Sequence, residues 1–146
     1  MEDAITETYS RILTRTVRNP KAEKNRGHLP IIIAAFDLPV FKYDKDHLAD
    51  IAINDGLHVH GIWMMPRKTR LEGDLSGEFL NHQRRYAGPG RPISRIVSER
   101  IEKTPGRVTE YMLKTIGHGR MDLDGVIILP RSRRELSFTE LTTSPL

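Results

Sequence analysis

Two histidines placed two residues apart are the side chains of this sequence best suited to metal chemistry. His58 and His60 lie in an otherwise apolar run that extends from Leu57 to Met65 and that Pro66 ends. On a β-strand, side chains two residues apart point to the same face, so both imidazoles project together. Imidazole is a common metal ligand, and two imidazoles make half of a metal site. Two packed or solvated histidines are the alternative interpretation of the same pattern.

A tyrosine and a lysine three residues apart form a second pattern that could do chemistry. Tyr111 and Lys114 lie in an amphipathic stretch, and residues three apart share one side of a helix. A tyrosine hydroxyl is protonated and weakly nucleophilic at neutral pH, and a nearby ammonium group or divalent cation makes its phenolate accessible. The alternative is a core aromatic residue next to a solvated helix charge.

The composition fits one soluble domain. The chain has 146 residues, of which 38% are hydrophobic and 29% charged, a size that can bury a core. It has no cysteine, so histidine and carboxylate side chains must hold any metal. The longest apolar run, from Ile31 to Phe36, is too short to span a bilayer, and the first residues lack the order of a signal peptide. We therefore expect a cytoplasmic protein with no membrane partner.

Basic side chains are in excess and clustered. The net charge is +4 and the pI is near 9.6. The clusters lie near the N-terminus, in the middle of the chain and near its end: Arg11, Arg15, Arg18, Lys21, Lys24 and Arg26; Arg84, Arg85, Arg91 and Arg95; Arg131, Arg133 and Arg134. Because each neutralised phosphate releases counterions, this balance favours a nucleic acid partner. The alternative is that these side chains only solvate the surface.

Hydrophobic periodicity predicts helices that alternate with strands. Helices are expected over about residues 3–18, 45–54, 76–86 and 104–116, the last two capped by Ser76 and Thr104. Strands are expected over about residues 29–37, 57–66, 93–101 and 126–130, with a short helix as the alternative over 93–101, followed by a loose tail from about residue 131. This order predicts one α+β domain over residues 1–146, with a basic N-terminal helix and helices packed on a mostly antiparallel sheet of four or five strands.

The order of these motifs resembles that of the HUH single-strand endonucleases, which include rolling-circle replication initiators, conjugative relaxases and certain transposases. An apolar strand that ends in an acid, Leu29 to Asp37, precedes the strand with His58 and His60, and a Tyr-x-x-Lys helix follows. The resemblance covers roughly residues 29–130. Each motif is short, so the likeness depends on their joint order in a basic chain without cysteine.

The resemblance implies a ferredoxin-like, Rep-type domain that nicks and joins single-stranded DNA. His58, His60 and one more polar ligand would hold Mg²⁺ or Mn²⁺ at the scissile phosphate. Tyr111 would attack that phosphorus, leaving a free 3′-hydroxyl and a 5′-phosphotyrosine link, and Lys114 would orient the DNA or stabilise charge. Such an enzyme serves replication initiation or mobilisation of a plasmid, phage or other mobile element.

Two features depart from the family's pattern. Asp37 is the expected third ligand, but about twenty residues separate it from His58, and Asp55 and His118 are alternatives. The sequence has no Gly-x-x-x-x-Gly-Lys-Ser/Thr phosphate loop, so a helicase, where one is needed, would be a host partner.

The resemblance implies that single-stranded DNA or a DNA hairpin is the substrate. The sequence does not decide between a monomer and a homodimer. The alternative functions are a non-catalytic DNA-binding protein on the same scaffold, such as a repressor or a decayed mobile-element protein, and an unrelated metal-dependent hydrolase that uses His58 and His60.

Overall fold

The computed structural model of the chain describes residues 1–37, 58–112 and 125–131. The helices in these residues are α1 (Glu2–Thr16), α2 (Leu75–Asn81) and α3 (Pro105–Met112), with short 3-10 helices at Glu23–His28 and Gln83–Arg85. The strands are β1 (Ile31–Asp37), β2 (His58–Met64) and β3 (Val126–Leu129). They form a three-stranded antiparallel sheet in the order β2-β1-β3. The α+β class predicted from the sequence is confirmed.

The first helix follows the predicted amphipathic pattern closely. Its buried side chains recur at helical spacing: Ala4, Ile5, Thr8, Tyr9, Ile12 and Thr16. The two threonines on this face donate hydrogen bonds to the carbonyl oxygens of Ala4 and Ile12, at 2.9 and 2.8 Å. Both buried hydroxyl groups are therefore hydrogen-bonded within the helix. The Tyr9 hydroxyl donates to the carbonyl oxygen of Pro30 at 3.0 Å, which attaches α1 to the start of β1.

The second helix begins at a different cap from the one expected. Asp74 is the N-cap, and its carboxylate accepts a hydrogen bond from the backbone N–H of Gly77 at 2.8 Å. Ser76, predicted to cap, lies inside the first turn with its hydroxyl 3.3 Å from that of Ser98. The helix ends at Asn81, before the predicted end at Tyr86, and a 3-10 turn continues it. Aspartate and serine are comparable N-caps, so the difference lies in where the helix begins: Asp74 directly precedes its first residue, Leu75.

The prediction of a strand over residues 93–101 is wrong. This stretch belongs to no helix or strand, and it runs without a turn or bend up to residue 102. Its apolar residues do not alternate in burial, since Ile93 and Ile96 are half-buried whereas Val97 is 68% exposed. The Ile96 carbonyl accepts a hydrogen bond from the Gln83 side chain at 2.8 Å, a contact that replaces pairing with a strand. Within the described residues the sheet therefore has three strands, fewer than the four or five expected.

The described residues divide into two compact units. The first contains residues 1–32, 63–102 and 128–131, and the second contains residues 33–37, 58–62, 103–112 and 125–127. The core of the first unit is a cluster of buried side chains with three half-buried ones packed on it: Ile12, Leu71, Leu75, Phe79 and Tyr86, with Trp63, Met65 and Ile96. The ring of Trp63 stacks on Tyr9 at 6.0 Å between centroids and meets the edge of Phe79 at 6.2 Å.

Some expectations fall on residues outside the described ones. These are the helix over 45–54, the end of the last helix beyond Met112 and the tail beyond Arg131. The start of that last helix at Pro105 agrees with the prediction. Thr104, the expected cap, has a φ of 53° rather than the extended backbone that an N-cap adopts. None of the helices in the described parts of the chain is long and apolar enough to cross a membrane.

Candidate active site

Both histidines of the His-x-His pattern lie on β2, as predicted. His58 is exposed and His60 is half-buried, and their spacing in the strand puts them on one face. Trp63, later on the same strand, belongs to the aromatic core of the first compact unit with Tyr9 and Phe79.

The helix α3 presents Tyr111 at its surface. Met112 is 3% exposed and Val108, four residues earlier, is half-buried, so these two define the inner side of the helix. Tyr111 is 57% exposed. Tyr111 is therefore accessible to solvent, although its neighbour Met112 is buried.

The rings of His60 and Tyr111 are in contact. Their centroids lie 5.2 Å apart and the planes are inclined at 74°, an edge-to-face arrangement. Such a contact is within the usual range of aromatic pairs. Both residues belong to the second compact unit. The fold thus brings one member of the His-x-His pair and the tyrosine of the Tyr-x-x-Lys pattern together, although the chain separates them widely.

The expected third ligand, Asp37, is the last residue of β1. Strand β1 pairs with β2 in the antiparallel sheet, so the end of β1 and the start of β2, where His58 lies, are at the same end of the strand pair. The backbone at Asp37 is therefore closer to the histidine strand than the sequence separation suggests. Lys114, Asp55 and His118 lie outside the described residues. Among the residues that are described, no group of three or more histidine, aspartate or glutamate side chains could hold a metal.

A second cluster of titratable side chains surrounds Glu78 in the first unit. The glutamate side chain is 3% exposed and contacts Arg15 from α1 at 2.6 Å, together with His82 at 3.1 Å and Arg85 at 3.8 Å. The Tyr86 hydroxyl donates to its Oε1 at 2.6 Å. None of the sequence patterns described above predicted this cluster. The spacing Glu78-x-x-x-His82 on one side of a helix was a usable signal, whereas Arg15 lies 63 residues away and only the fold brings it there.

Burial and hydrogen bonding oppose one another at Glu78. Burial raises the pKa of its carboxyl group, but the hydrogen bonds from Tyr86 and Arg15 and the charges of Arg15 and His82 outweigh burial and leave the pKa below its usual value. Burial also raises the pKa of the Tyr86 hydroxyl, and its hydrogen bond to the Glu78 carboxylate raises it further. A charged carboxylate and a neutral phenol are therefore the stable forms, an arrangement that suits a structural ion cluster joining α1 to α2 better than proton transfer.

No family model, curated protein or solved structure matches the chain. Any functional conclusion therefore depends on the residues and on the geometry just described. The arrangement that most needs an explanation is the exposed Tyr111 in contact with His60. An accessible phenol beside a potential metal ligand can act as a nucleophile whose target is held by a metal ion.

Proposed function

We propose that the protein is a metal-dependent endonuclease and strand transferase of the HUH type, which nicks and joins single-stranded DNA with Tyr111 as the nucleophile. The observation that supports this proposal most is the contact between the rings of Tyr111 and His60, 5.2 Å between centroids. A core tyrosine would be buried, but Tyr111 is 57% exposed. A nucleophile must reach its target, and exposure next to a metal-ligand pair meets that requirement.

The reaction is a transesterification at phosphorus. The phenol loses its proton to solvent, and its oxygen forms a bond to the scissile phosphorus. The bond from phosphorus to the 3′ oxygen breaks, and that oxygen takes up a proton to become a free 3′-hydroxyl. The 5′ side of the nick stays joined to the enzyme as a phosphotyrosine ester. Because one ester replaces another, the reverse reaction joins strands without a nucleoside triphosphate.

His58 and His60 are the proposed metal ligands, with Asp37 as the third. A bound Mg²⁺ or Mn²⁺ supplies positive charge to the non-bridging phosphate oxygens. Two imidazole nitrogens in the ligand set favour Mn²⁺, because Mg²⁺ prefers oxygen ligands. Within this site, the edge-to-face contact with His60 orients the Tyr111 ring, and Lys114 is proposed to orient the DNA or to stabilise charge. We further propose a Rep-type, ferredoxin-like arrangement, for which the α+β class and the antiparallel sheet are the supporting observations.

The proposal is tested by trapping the covalent intermediate. The protein is incubated with Mn²⁺ and a pool of single-stranded and hairpin oligonucleotides labelled at the 3′ end, and denaturing gels are used to detect labelled protein. The wild type should form an adduct that Tyr111→Phe abolishes and that a chelator prevents. Tyr9→Phe is the matched control, because it removes a hydroxyl bonded to Pro30 in the other compact unit.

The same assay tests the histidine pair and separates the alternatives. His60→Ala should lower the adduct yield by more than the ~10–100-fold that loss of an outer-shell partner costs, whereas His28→Ala should not. Absence of any adduct from the wild type, with salt-dependent DNA binding retained, would leave a non-catalytic DNA-binding protein. Cleavage that survives Tyr111→Phe but not His58→Ala would instead identify a metal-dependent hydrolase.

A further inference from the structure

A group of arginines in the first compact unit has no role in the Tyr111 site. Residues 83–98 contain four arginines and no acidic residue, so their charge alone equals the net +4 of the whole chain. We call this group the arginine strip: Arg84, Arg85, Arg91 and Arg95. All four side chains are exposed.

A tight loop brings the two parts of the arginine strip onto neighbouring segments. The N–H of Gly88 donates to the Ile93 carbonyl at 3.0 Å, and the N–H of Arg91 donates to the Gly88 carbonyl at 3.1 Å. Gly90 turns the chain with a φ of 76°, which a side chain would disfavour. Beyond the loop, the hydrogen bond from Gln83 to Ile96 ties the second segment back to the end of the helix. Arg84 follows Gln83 and Arg95 precedes Ile96, so these two arginines flank the same hydrogen bond.

The acidic side chains of the described residues compensate the charge of the strip only in part. Arg84 and Arg95 have no carboxylate within 4.0 Å among the described residues. Arg85 is 3.8 Å from Glu78, but that carboxylate is already paired with Arg15 at 2.6 Å. Arg91 contributes to lowering the pKa of Glu7, after the hydrogen bond and charge of Arg11, which pairs with the same glutamate. The uncompensated charges of Arg84 and Arg95 favour an anionic partner.

We propose that the arginine strip binds the phosphate backbone of a nucleic acid, separately from the Tyr111 site. The guanidinium group is planar and pairs with phosphate through two N–H donors, and all four basic residues of the strip are arginines. Residues 87–110 contain no aromatic side chain, so this segment offers neither a stacking surface for bases nor the aromatic anchor typical of a protein interface. Binding therefore depends on phosphate contacts and is independent of base sequence. Because binding needs no strand cleavage, this inference can be tested independently of the proposed enzyme activity.

Fluorescence anisotropy with a labelled oligothymidylate of about 20 nucleotides tests the strip. The full chain carrying Tyr111→Phe is titrated in the presence of a chelator, so that cleavage does not contribute. Arg84→Gln with Arg95→Gln should weaken binding about tenfold and reduce the slope of log affinity against log salt by ~1.4, which corresponds to two lost phosphate contacts. The control is Arg26→Gln with Arg131→Gln, which removes the same charge from arginines paired with Glu23 and Glu2.

The controls decide between a local surface and a general charge effect. The control pair should leave the salt slope unchanged, and Glu99→Gln, which removes a negative charge next to the strip, should tighten binding. Equal weakening by both double variants would overturn the proposal, because only total charge would then matter. Binding of poly-glutamate in preference to the oligonucleotide would overturn it in favour of an acidic protein partner. Matched melting temperatures of all variants show that the fold is intact.

Discussion

Glu78 shows how one buried carboxylate can hold two helices together. It accepts a hydrogen bond from Tyr86 in its own segment and pairs with Arg15 from α1, while its side chain is 3% exposed. A buried charge is costly unless its partners satisfy it, and removal of the charge leaves those partners without compensation. The side chain of Arg15 is 38% exposed, so solvent screens part of that cost.

We predict that Glu78→Gln destabilises the protein in a pH-dependent way. The pKa of Glu78 is lowered in the folded state, so its contribution is fully present above the ordinary carboxyl pKa of ~4.3 and is lost as pH falls through the lowered value. The variant should lose about 1–3 kcal/mol of unfolding free energy at pH 7. Urea unfolding, followed by the fluorescence of the single tryptophan, Trp63, measures this at several pH values.

The difference between the variant and the wild type should shrink as the pH is lowered below ~4. Glu72→Gln is the control, since that glutamate is exposed. A deficit that stayed constant down to the acid limit would mean that side-chain packing, rather than charge, explains the effect.

Among the elements, α2 illustrates how a cap positions a helix that carries much of the core. The carboxylate of Asp74 satisfies the N–H of Gly77, and the helix then buries Leu75, Glu78 and Phe79. Capping of a free N–H group by an N-cap side chain is worth about 1 kcal/mol. A helix of seven residues depends strongly on such a contact and on packing, since short helices are marginal by themselves.

We therefore expect Asp74→Ala to lower the unfolding free energy by about 0.5–2 kcal/mol, because the first turn loses its side-chain acceptor. Ser76→Ala should cost less, since Ser76 is not the cap and its hydroxyl makes only a 3.3 Å contact with that of Ser98. Urea unfolding of both variants measures the two costs. A larger effect at Ser76 than at Asp74 would mean that Ser76 is the N-cap, as the sequence pattern predicted.

For the molecule as a whole, the core cluster of the first unit joins segments that are far apart in the chain. Ile12 comes from α1, Trp63 from β2, Leu71 from the following loop, and Phe79 from α2. Phe79 lies between two aromatic rings, 6.2 Å from Trp63 and 5.1 Å from Tyr86 between centroids. Side chains with neighbours on several sides cannot be shortened without leaving a cavity.

Two adjacent residues test this packing. Phe79 is 3% exposed and Leu80 is 80% exposed. Phe79→Ala should cost about 3–5 kcal/mol of unfolding free energy and change the emission of Trp63, because an aromatic neighbour is lost. Leu80→Ala should stay within about 0.5 kcal/mol of the wild type. Thermal and urea unfolding measure both, and similar losses in the two variants would contradict the arrangement of α2.

The sequence by itself determined the elements whose burial follows a regular period. The 3.6-residue spacing of apolar residues predicted α1 over 3–18, close to the observed Glu2–Thr16, and the short apolar runs predicted β1, β2 and β3. It failed over 93–101, where a side-chain hydrogen bond from Gln83 to Ile96 takes the place of a strand partner. The spacing of apolar residues predicts which side chains are buried. It does not predict which donor forms a hydrogen bond with a given backbone carbonyl.

The same division holds for the candidate site. Spacing within one element predicted that His58 and His60 share a strand face, because side chains alternate along a strand. Only the tertiary structure decided that the His60 ring meets Tyr111, and that antiparallel pairing returns the end of β1, at Asp37, to the strand of His58. Contacts inside an element follow from backbone geometry, whereas contacts between elements depend on the free energy of packing the whole chain, which no short motif contains.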